Sequence, residues 1–338
     1  MSADYPRITI ITPSFNQGQY LEQTILSVIE QNYPNIEYII IDGGSTDNSV
    51  EIIKKYQKHL SYWISEKDNG QSHAINKGLE RMTGTIFNWV NSDDYLEKDA
   101  LNHVAEIFLS HPEIKCCIGE LKLFKNPTSF KDPKKVDVLN FERNFIEGVI
   151  KQPSTFYSSE IITRIGKLNE HLHFCMDLDF WYKFILNYKM TNIYLHNKIL
   201  ANFRIQDNSK SVSMSDQFYN DKATLFYSML IAKNENILSS FLKHKFAIIK
   251  KYSFEASTDE LQLGLIIRAA AYFLLDSFGK IYTRHDFKNA IEVKYVLRSL
   301  SCSFDLVDKK KYFSLCKNTF WNSWFLFRAR RKYYHFFK

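Results

Sequence analysis

The 338-residue chain is poor in the residues that staple small folds or build metal clusters. Its five cysteines form no C-x-x-C pair and are odd in number. A disulfide framework and a structural zinc site are therefore disfavoured, and reduced thiols in a cytosolic protein are expected. With 11 glycines and 7 prolines, collagen-like and low-complexity sequence is excluded. The length instead suggests about two domains with a large core.

Long apolar segments are also missing. The N-terminal residues, MSADYPRITIITPSFN, lack the basic segment and the apolar stretch of a secretory signal peptide. The longest apolar run, Leu263 to Leu275, is interrupted by Arg268 and is too short to span a bilayer. We therefore expect no transmembrane helix.

Four widespread catalytic motifs are absent. The chain contains no G-x-S-x-G, no G-x-x-x-x-G-K-[ST] and no G-x-G-x-x-G after a strand, and none of its 10 histidines stands in an H-E-x-x-H. These absences disfavour a hydrolase triad, a P-loop NTPase and a Rossmann dehydrogenase.

Charge is unevenly distributed along the chain. Residues 215–338 carry 21 Lys or Arg against 11 Asp or Glu, whereas residues 1–214 carry 23 against 26. This change of sign predicts two domains, 1–214 and 215–338, with residues 207–216 as the linker.

The last twenty residues, TFWNSWFLFRARRKYYHFFK, combine nine aromatic and five basic side chains. This mixture suits a helix lying on an anionic membrane surface. The alternatives are that the aromatic side chains pack on the protein body or form a dimer interface. Nucleic-acid binding is not expected, because no RNP-like or zinc-finger pattern accompanies the basic residues.

Short β-branched runs alternate with helical periods in the first third of the chain. They predict strands over residues 7–12, 38–41, 62–65 and 86–90, with helices over 19–32, 47–56, 72–82 and 99–109. Such βαβ spacing predicts an α/β fold with a mostly parallel sheet flanked by helices. A mainly helical region is expected beyond residue 215, with helices over 218–232, 237–252, 259–278, 285–300 and from 308 onward.

Polar clusters follow each predicted strand, at Ser14–Asn16, Asp42–Ser45, Asp68–Gly70 and Asn91–Asp94. In open parallel sheets, ligands bind at these carboxyl ends. Two adjacent carboxylates repel one another, so a divalent cation shared with phosphate oxygens would suit Asp93 and Asp94. Capping of the next helix is the alternative for this pair.

A second pair of carboxylates, Asp177 and Asp179, lies among aromatic residues in HFCMDLDFWYKF. Apolar surroundings raise the pKa of a carboxyl group, so one of the pair could act as a general base. Helix capping is again the alternative.

Six ordered motifs resemble those of family 2 glycosyltransferases with the GT-A fold. They are TPSFN (12–16), IDGGSTDNS (41–49), EKDNG (66–70) with AINKG (74–78), NSDD (91–94), QPSTF (152–156) and MDLDFW (176–181). The resemblance covers roughly residues 6–214. It implies an inverting, non-processive hexosyltransferase-type enzyme of the kind that builds bacterial surface polysaccharides.

The resemblance also implies roles for individual residues. Asp94 would hold Mn²⁺ or Mg²⁺, and Asp177 would be the general base. The nucleotide-sugar would contact Pro13, Ser14, Asn16, Asp42, Gly43, Asp68, Asn76, Asn91 and Asp93. The acceptor side would be shaped by Gln152, Ser154, Thr155 and Trp181.

One position departs from the family pattern. Many relatives carry Arg-x-His after the acceptor region, whereas this chain reads Arg204-Ile205-Gln206. Arg204 or Lys210 is therefore expected to contact the diphosphate in place of the histidine. The Q-x-x-R-W signature of processive synthases is absent, which favours transfer of a single sugar.

The sequence thus predicts transfer of one sugar from a nucleotide-diphosphate sugar, with UDP as the default nucleotide, to a hydroxyl of a glycan or lipid-linked acceptor. The enzyme would work at the inner face of the cytoplasmic membrane. Two alternatives are a non-catalytic interaction protein with this fold and a sugar-nucleotide nucleotidyltransferase. The latter is disfavoured because the loop Pro13–Gly18 has one glycine and no basic residue.

Overall fold

The computed structural model describes residues 5–125, 128–206, 215–255, 263–283, 292–293 and 295–298. The strands are β1 (Ile8–Ser14), β2 (Ile36–Asp42), β3 (Tyr62–Ser65), β4 (Ile86–Trp89), β5 (Tyr95–Leu96), β6 (Cys116–Lys125), β7 (Thr128–Lys131), β8 (Thr155–Ser158) and β9 (Ile193–Arg204). The helices are α1 (Gly18–Ile29), α2 (Ser49–Tyr56), α3 (Gln71–Arg81), α4 (Ala100–Ser110), α5 (Phe141–Glu147), α6 (Ile161–Ile165), α7 (Met176–Asn187), α8 (Ser215–Ala232), α9 (Ile237–Lys245) and α10 (Leu263–Thr283).

The strands form one sheet in the order β3-β2-β1-β4-β8-β6-β9-β5, with β7 beside β6. Its first half is parallel, since β1 pairs in parallel with both β2 and β4. β8 is antiparallel to its neighbours β4 and β6. The α/β fold predicted from the sequence is confirmed, and the carboxyl ends of β1, β2 and β4 meet at one edge.

Alternating side chains of the strands feed two cores, one on each face of the sheet. Ile8 and Ile10 of β1 pack in one core with residues of α1 and α4, whereas Ile11 packs in the other with residues of α3 and α7. All seven residues of β1 are buried. A strand that is covered on both faces explains the continuous apolar run ITII.

The helical region beyond residue 215 packs into one of these cores. Phe226 of α8 lies 6.3 Å from the ring of Tyr182 in α7, and 5.8 Å from Phe273 of α10. In the described residues, this region therefore shares its hydrophobic interior with the sheet-bearing part of the chain. The predicted domain division remains a prediction.

One predicted helix is shorter than expected, because α9 ends at Lys245 instead of residue 252. Side chains of α8 accept backbone N–H groups from the following segment: Asn220 from Ala247 at 3.0 Å and Thr224 from Ile249 at 3.1 Å. These bonds hold the chain along α8 and replace the bonds that a longer helix would make.

Several predictions fall on other parts of the chain. Lys210, Cys302, Cys316, the predicted helix from residue 308 onward and most of that over 285–300 lie outside the described residues. Cys116, Cys117 and Cys175 are free and buried. Among the helices that are described, none combines the length and the hydropathy needed to cross a membrane.

Candidate active site

A cleft of about 850 Å³ opens at the edge of the sheet where β1, β2 and β4 end. The parallel register that pairs Ser14 with Asp42 brings the loops after β1 and β2 side by side. Ten of the residues predicted from the sequence line this cleft: Pro13, Ser14, Asn16, Gly43, Asp68, Asn91, Asp93, Gln152, Asp177 and Arg204. Residues up to 191 positions apart in the chain thus converge on one cleft, as the polar clusters predicted.

Asn16 joins the first two loops of the cleft. Its backbone is left-handed, with φ 51°, a conformation that Asn tolerates better than most residues. The side-chain Oδ1 accepts the backbone N–H of Thr46 at 2.8 Å, and the backbone N–H donates to Ser45 Oγ at 2.8 Å. Asn16, whose side chain was expected to contact the nucleotide, thus also connects the two loops by hydrogen bonds.

Asp42 lies beneath these loops and is fully buried. One carboxylate oxygen accepts the Ser45 hydroxyl at 2.6 Å, and the other accepts the backbone N–H of Ser45 at 2.9 Å and the Ser65 hydroxyl at 2.7 Å. The role of Asp42 at the nucleotide remains a prediction. Asp42 holds the shape of the loop that faces the cleft.

Gly43 and Asp68 approach one another across the cleft floor. A Cβ at position 43 would lie 2.7 Å from Asp68 Oδ2, so only glycine fits here without displacing the carboxylate. The other oxygen of Asp68 accepts the backbone N–H of Gly70 at 2.7 Å. Gly70 has φ 106°, in the region that favours glycine. These glycines let the Asp68 carboxylate face the cleft.

The adjacent carboxylates take different positions. Asp93 lines the cleft, whereas Asp94 is buried behind it. Asp94 accepts the backbone N–H of Arg204 at 3.0 Å and an Asn91 side-chain N–H at 3.2 Å. Burial, reinforced by the charge of Asp93, raises the pKa of Asp94 well above its ordinary value. This buried carboxylate would be stabilised by a neighbouring positive charge.

A divalent cation fits this pair of carboxylates. The donors described above for Asp94 are neutral amides, and Gln206 donates a further amide N–H to Asp93 at 2.6 Å. A cation would relieve the repulsion that raises the pKa of Asp94. Hard divalent ions are commonly held by one or two carboxylates together with substrate phosphate oxygens. In the described residues, no group of three or more His, Cys, Asp or Glu side chains is arranged to hold a metal on its own.

Arg204 is rigidly placed at the same end of the cleft. Its guanidinium lies between the rings of Tyr20 and Phe124, at 4.4 and 4.5 Å from their centroids. Nε donates to the carbonyl of Asp93 at 3.0 Å. The residue lines the cleft as expected, but it also fixes the backbone that carries the carboxylate pair. Gln206, noticed in the sequence only as a departure, donates a side-chain N–H to the Asp93 carboxylate.

Asp177 occupies the first turn of α7 and lines the cleft. Its Oδ1 accepts the backbone N–H of Leu178 at 2.8 Å. Burial raises the pKa of the Asp177 carboxyl, against the lowering effects of that hydrogen bond and of the charges of Lys222 and Lys134. A partly exposed carboxylate with a raised pKa can accept a proton from a hydroxyl bound in the cleft.

Asp179, only two residues later, has a structural environment. It is fully buried, and its carboxylate lies 3.0 Å from Lys183 Nζ and accepts the Tyr252 hydroxyl at 2.7 Å. Of the two carboxylates considered as bases, only Asp177 lines the cleft. The structure therefore separates a cleft carboxylate from a buried ion pair.

Four other predicted residues lie away from the cleft lining. Asn76 accepts the backbone N–H of Leu168 at 3.0 Å and donates to its carbonyl at 2.9 Å. Ser154 and Thr155 are fully buried and donate to the carbonyls of Glu120 and Lys151. Trp181 is buried and stacks on Phe184. Their motifs are compatible with the site, but these side chains support the fold around it.

The cleft also contains residues that the sequence did not indicate. Phe218 of α8 lines it together with His173 and Phe174. The carboxylate of Asp221 accepts the backbone N–H groups of His173, Phe174 and Cys175 at 2.8, 2.7 and 3.3 Å. A single aspartate of α8 therefore positions the segment that leads into Asp177. No local motif marks it.

Comparison with known proteins agrees with this geometry. Residues 9–184 match the family model described as Glycosyl transferase family 2. An uncharacterized glycosyltransferase of Rickettsia typhi is 25% identical over 311 residues, covering 82% of this chain and 96% of the relative. TuaG of Bacillus subtilis, named as a putative teichuronic acid biosynthesis glycosyltransferase, is 38% identical over 109 residues. That match covers 31% of this chain and 42% of TuaG.

Solved structures show the same fold. Staphylococcus aureus TarS, residues 1–349 in complex with UDP-GlcNAc, has a TM-score of 0.57 at 20% identity. The match covers 90% of this chain and 95% of that chain. The GT-A fold predicted from the motifs is confirmed.

Proposed function

The chain belongs to glycosyl transferase family 2, and we propose that it transfers one sugar from a nucleotide-diphosphate sugar to a hydroxyl of a glycan or lipid-linked acceptor. It is a transferase of the EC 2.4 type. The observation that carries the proposal is one cleft that is lined by both Asp93 and Asp177, with Asp94 buried behind Asp93. Such a cleft can hold both a diphosphate leaving group and a group that accepts the proton of the acceptor hydroxyl.

The donor half of the proposal rests on the loops after β1, β2 and β3. Ser14 Oγ is buried and, among the described residues, has no hydrogen-bond partner. A buried hydroxyl without a hydrogen-bond partner is energetically unfavourable, so a ligand that forms a hydrogen bond with Ser14 Oγ would be bound selectively. Asn16 and Asp68 line the same wall. UDP is the default nucleotide, supported by the neighbouring structure that was solved with UDP-GlcNAc.

The reaction would be an inverting displacement. Asp177 would remove the proton of an acceptor hydroxyl, whose oxygen would attack the anomeric carbon while the bond to the nucleotide diphosphate breaks. A positioned base contributes roughly 10²–10⁴-fold to such a step. Desolvation in the cleft, which raises the pKa of Asp177, also strengthens it as a base.

Asp93 and Asp94 are the residues that would hold Mn²⁺ or Mg²⁺. We retain Asp94 as the metal ligand, because a buried carboxylate beside a like charge gains most from a cation. The cation would supply charge stabilisation for the departing diphosphate. Arg204 would act on the same end of the cleft by holding the backbone of Asp93 in place.

The surface-polysaccharide pathway is supported by the likeness to TuaG, a putative teichuronic acid enzyme by name. We propose that the enzyme works at the cytoplasmic membrane face, with its aromatic and basic C-terminal residues on anionic lipid. The full-length protein should bind anionic vesicles, and a protein that lacks the residues after 315 should not. Retained binding would contradict the membrane role and favour packing on the body or a dimer interface.

A thermal-shift panel of UDP, GDP, CDP, ADP and dTDP with Mn²⁺ tests the function directly. A nucleotide at about 100-fold above its Kd should stabilise the protein by about 2.7 kcal/mol. We expect a metal-dependent shift for one nucleotide, and loss of that shift in Asp94→Asn. No shift with any nucleotide would contradict a donor site and favour a non-catalytic interaction protein.

A further inference from the structure

A second cavity, of about 410 Å³, lies between α5, α8, α10 and residues 133–135. Four cationic side chains line it, against two carboxylates: Lys134, Lys135, Arg143 and Lys222 face Glu147 and Asp276. Arg143 is paired with Glu147 at 2.9 Å and lies 3.8 Å from Asp137. The side chains that line the cavity therefore include two more cations than carboxylates.

This basic cavity adjoins the cleft along α8. Phe218 lines the cleft and Lys222 lines the basic cavity. Residues four apart lie on the same face of a helix, about 6 Å apart along its axis. The two spaces are thus neighbours on one helix face.

A second connection runs through α7. Gly148, in the wall of the basic cavity, lies so close to α7 that an added Cβ would be 2.9 Å from Tyr182 Oη and 3.0 Å from Leu178 Cδ1. Leu178 directly follows Asp177. The charges of Lys222 and Lys134 lower the pKa of Asp177, as expected for cations near that carboxylate. The basic cavity therefore lies beside the end of the cleft that holds the base.

We propose that the basic cavity binds a phosphate group of an anionic acceptor and thereby directs the acceptor hydroxyl towards Asp177. This inference rests on the proposed transferase function. Lysine ammonium groups bind phosphate as mobile point charges, and such charge-assisted contacts are stronger than neutral ones. The phosphate could belong to a polyol-phosphate chain or to the diphosphate of a lipid carrier.

Binding titrations with defined probes test the proposal. The probes are a fluorescent glycerol-phosphate trimer, a neutral triglycerol of the same length, and phosphatidylcholine vesicles that contain a polyprenyl diphosphate. The variant is Lys134→Gln with Lys135→Gln, two exposed residues whose change should preserve the fold. The matched control is Lys58→Gln with Lys98→Gln, two exposed lysines that line neither cavity. UDP binding is measured for all three proteins.

We expect a phosphate probe to bind the wild type, to weaken with salt, and to lose about tenfold in affinity in the variant. The control should bind as the wild type does, and triglycerol should not bind. Binding of the soluble trimer would indicate a polyol-phosphate acceptor, and binding of the vesicles alone a lipid diphosphate. Equal affinities for variant and control, or no binding of either phosphate probe, would overturn the inference. If the wild type does not bind UDP, that result would instead count against the transferase proposal.

Lys222→Gln provides an independent check, because Lys222 reaches the basic cavity from a different element. It should weaken the same probe several-fold while leaving UDP affinity unchanged. Unaltered probe binding in this variant, together with loss in the 134/135 variant, would place the phosphate outside the basic cavity and overturn the assignment.

Discussion

The two sides of the cleft are built in different ways. The proposed donor side comes from residues 13–94, where each polar cluster directly follows a parallel strand and neighbouring loops are joined by short hydrogen bonds, such as that from Thr46 to Asn16. The proposed acceptor side depends on distant elements: Asp177 is preceded by a segment that Asp221 holds through three backbone N–H groups. The first side is formed by loops that follow consecutive strands, whereas the second depends on packing between distant helices.

The largest effect is expected at the acceptor side. Asp177→Asn should lower kcat by roughly 10²–10⁴-fold, because the amide cannot accept the proton. Donor affinity should be unchanged, since the residues proposed to bind the nucleotide lie on other loops, after β1, β2 and β3. Turnover and UDP affinity are measured in parallel. Asp179→Glu is unsuitable as a control, because Asp179 is fully buried and a longer side chain would not fit there. Near-normal transfer by Asp177→Asn would exclude Asp177 as the base.

On the donor side, Asp94→Asn should weaken Mn²⁺-dependent UDP binding by about tenfold or more. Burial, and then the charge of Asp93, raises the pKa of the Asp94 carboxyl well above its ordinary value, so a bound cation should stabilise its ionised form. Asp93→Asn is the matched variant, because Asp93 reaches the cleft. Calorimetry with and without Mn²⁺ compares them. A larger loss of Mn²⁺-dependent UDP affinity in Asp93→Asn would indicate that Asp93 is the main metal ligand.

A smaller effect is expected on the pH dependence of the rate, because Lys222 of the basic cavity acts on Asp177 of the cleft. Asp177 must be ionised to act, so the rate falls as the pH drops through its raised pKa. The charge of Lys222 lowers that pKa. Lys222→Gln should therefore move the acidic limb of kcat/KM to higher pH, with a rate loss that is greatest at low pH. A limb that stays in place would show that Lys222 does not act on the base.

The smallest effect on activity is expected for Tyr252→Phe. The Tyr252 hydroxyl donates to buried Asp179, and its removal leaves an acceptor unsatisfied at a cost of about 1–3 kcal/mol. We expect a lower Tm, by a few degrees per kcal/mol, with kcat nearly unchanged. A large fall in kcat at unchanged Tm would mean that the helical region controls Asp177 through this contact.

Much of the site could be predicted from the sequence, and the reason is topological. Asp68, Asn91 and Asp93 each follow a strand of a parallel arrangement, so their convergence follows from strand direction alone. The same logic does not tell which side chain reaches solvent. Asp42 and Asn76 share the motifs of the cleft residues, but neighbouring backbone groups occupy their polar atoms.

The sequence by itself determined the α/β alternation, the family and the order of the polar loops, because these depend on local periodicity and on short motifs. Only the tertiary structure decided that Asp177 faces the cleft while Asp179 forms a buried ion pair, because successive helical positions acquire their neighbours from other elements. It also decided that Lys222, on a helix with no motif, lies near enough to Asp177 for its charge to lower the pKa of that carboxyl. Contacts between residues far apart in the chain carry no signal in local composition, and packing alone creates them.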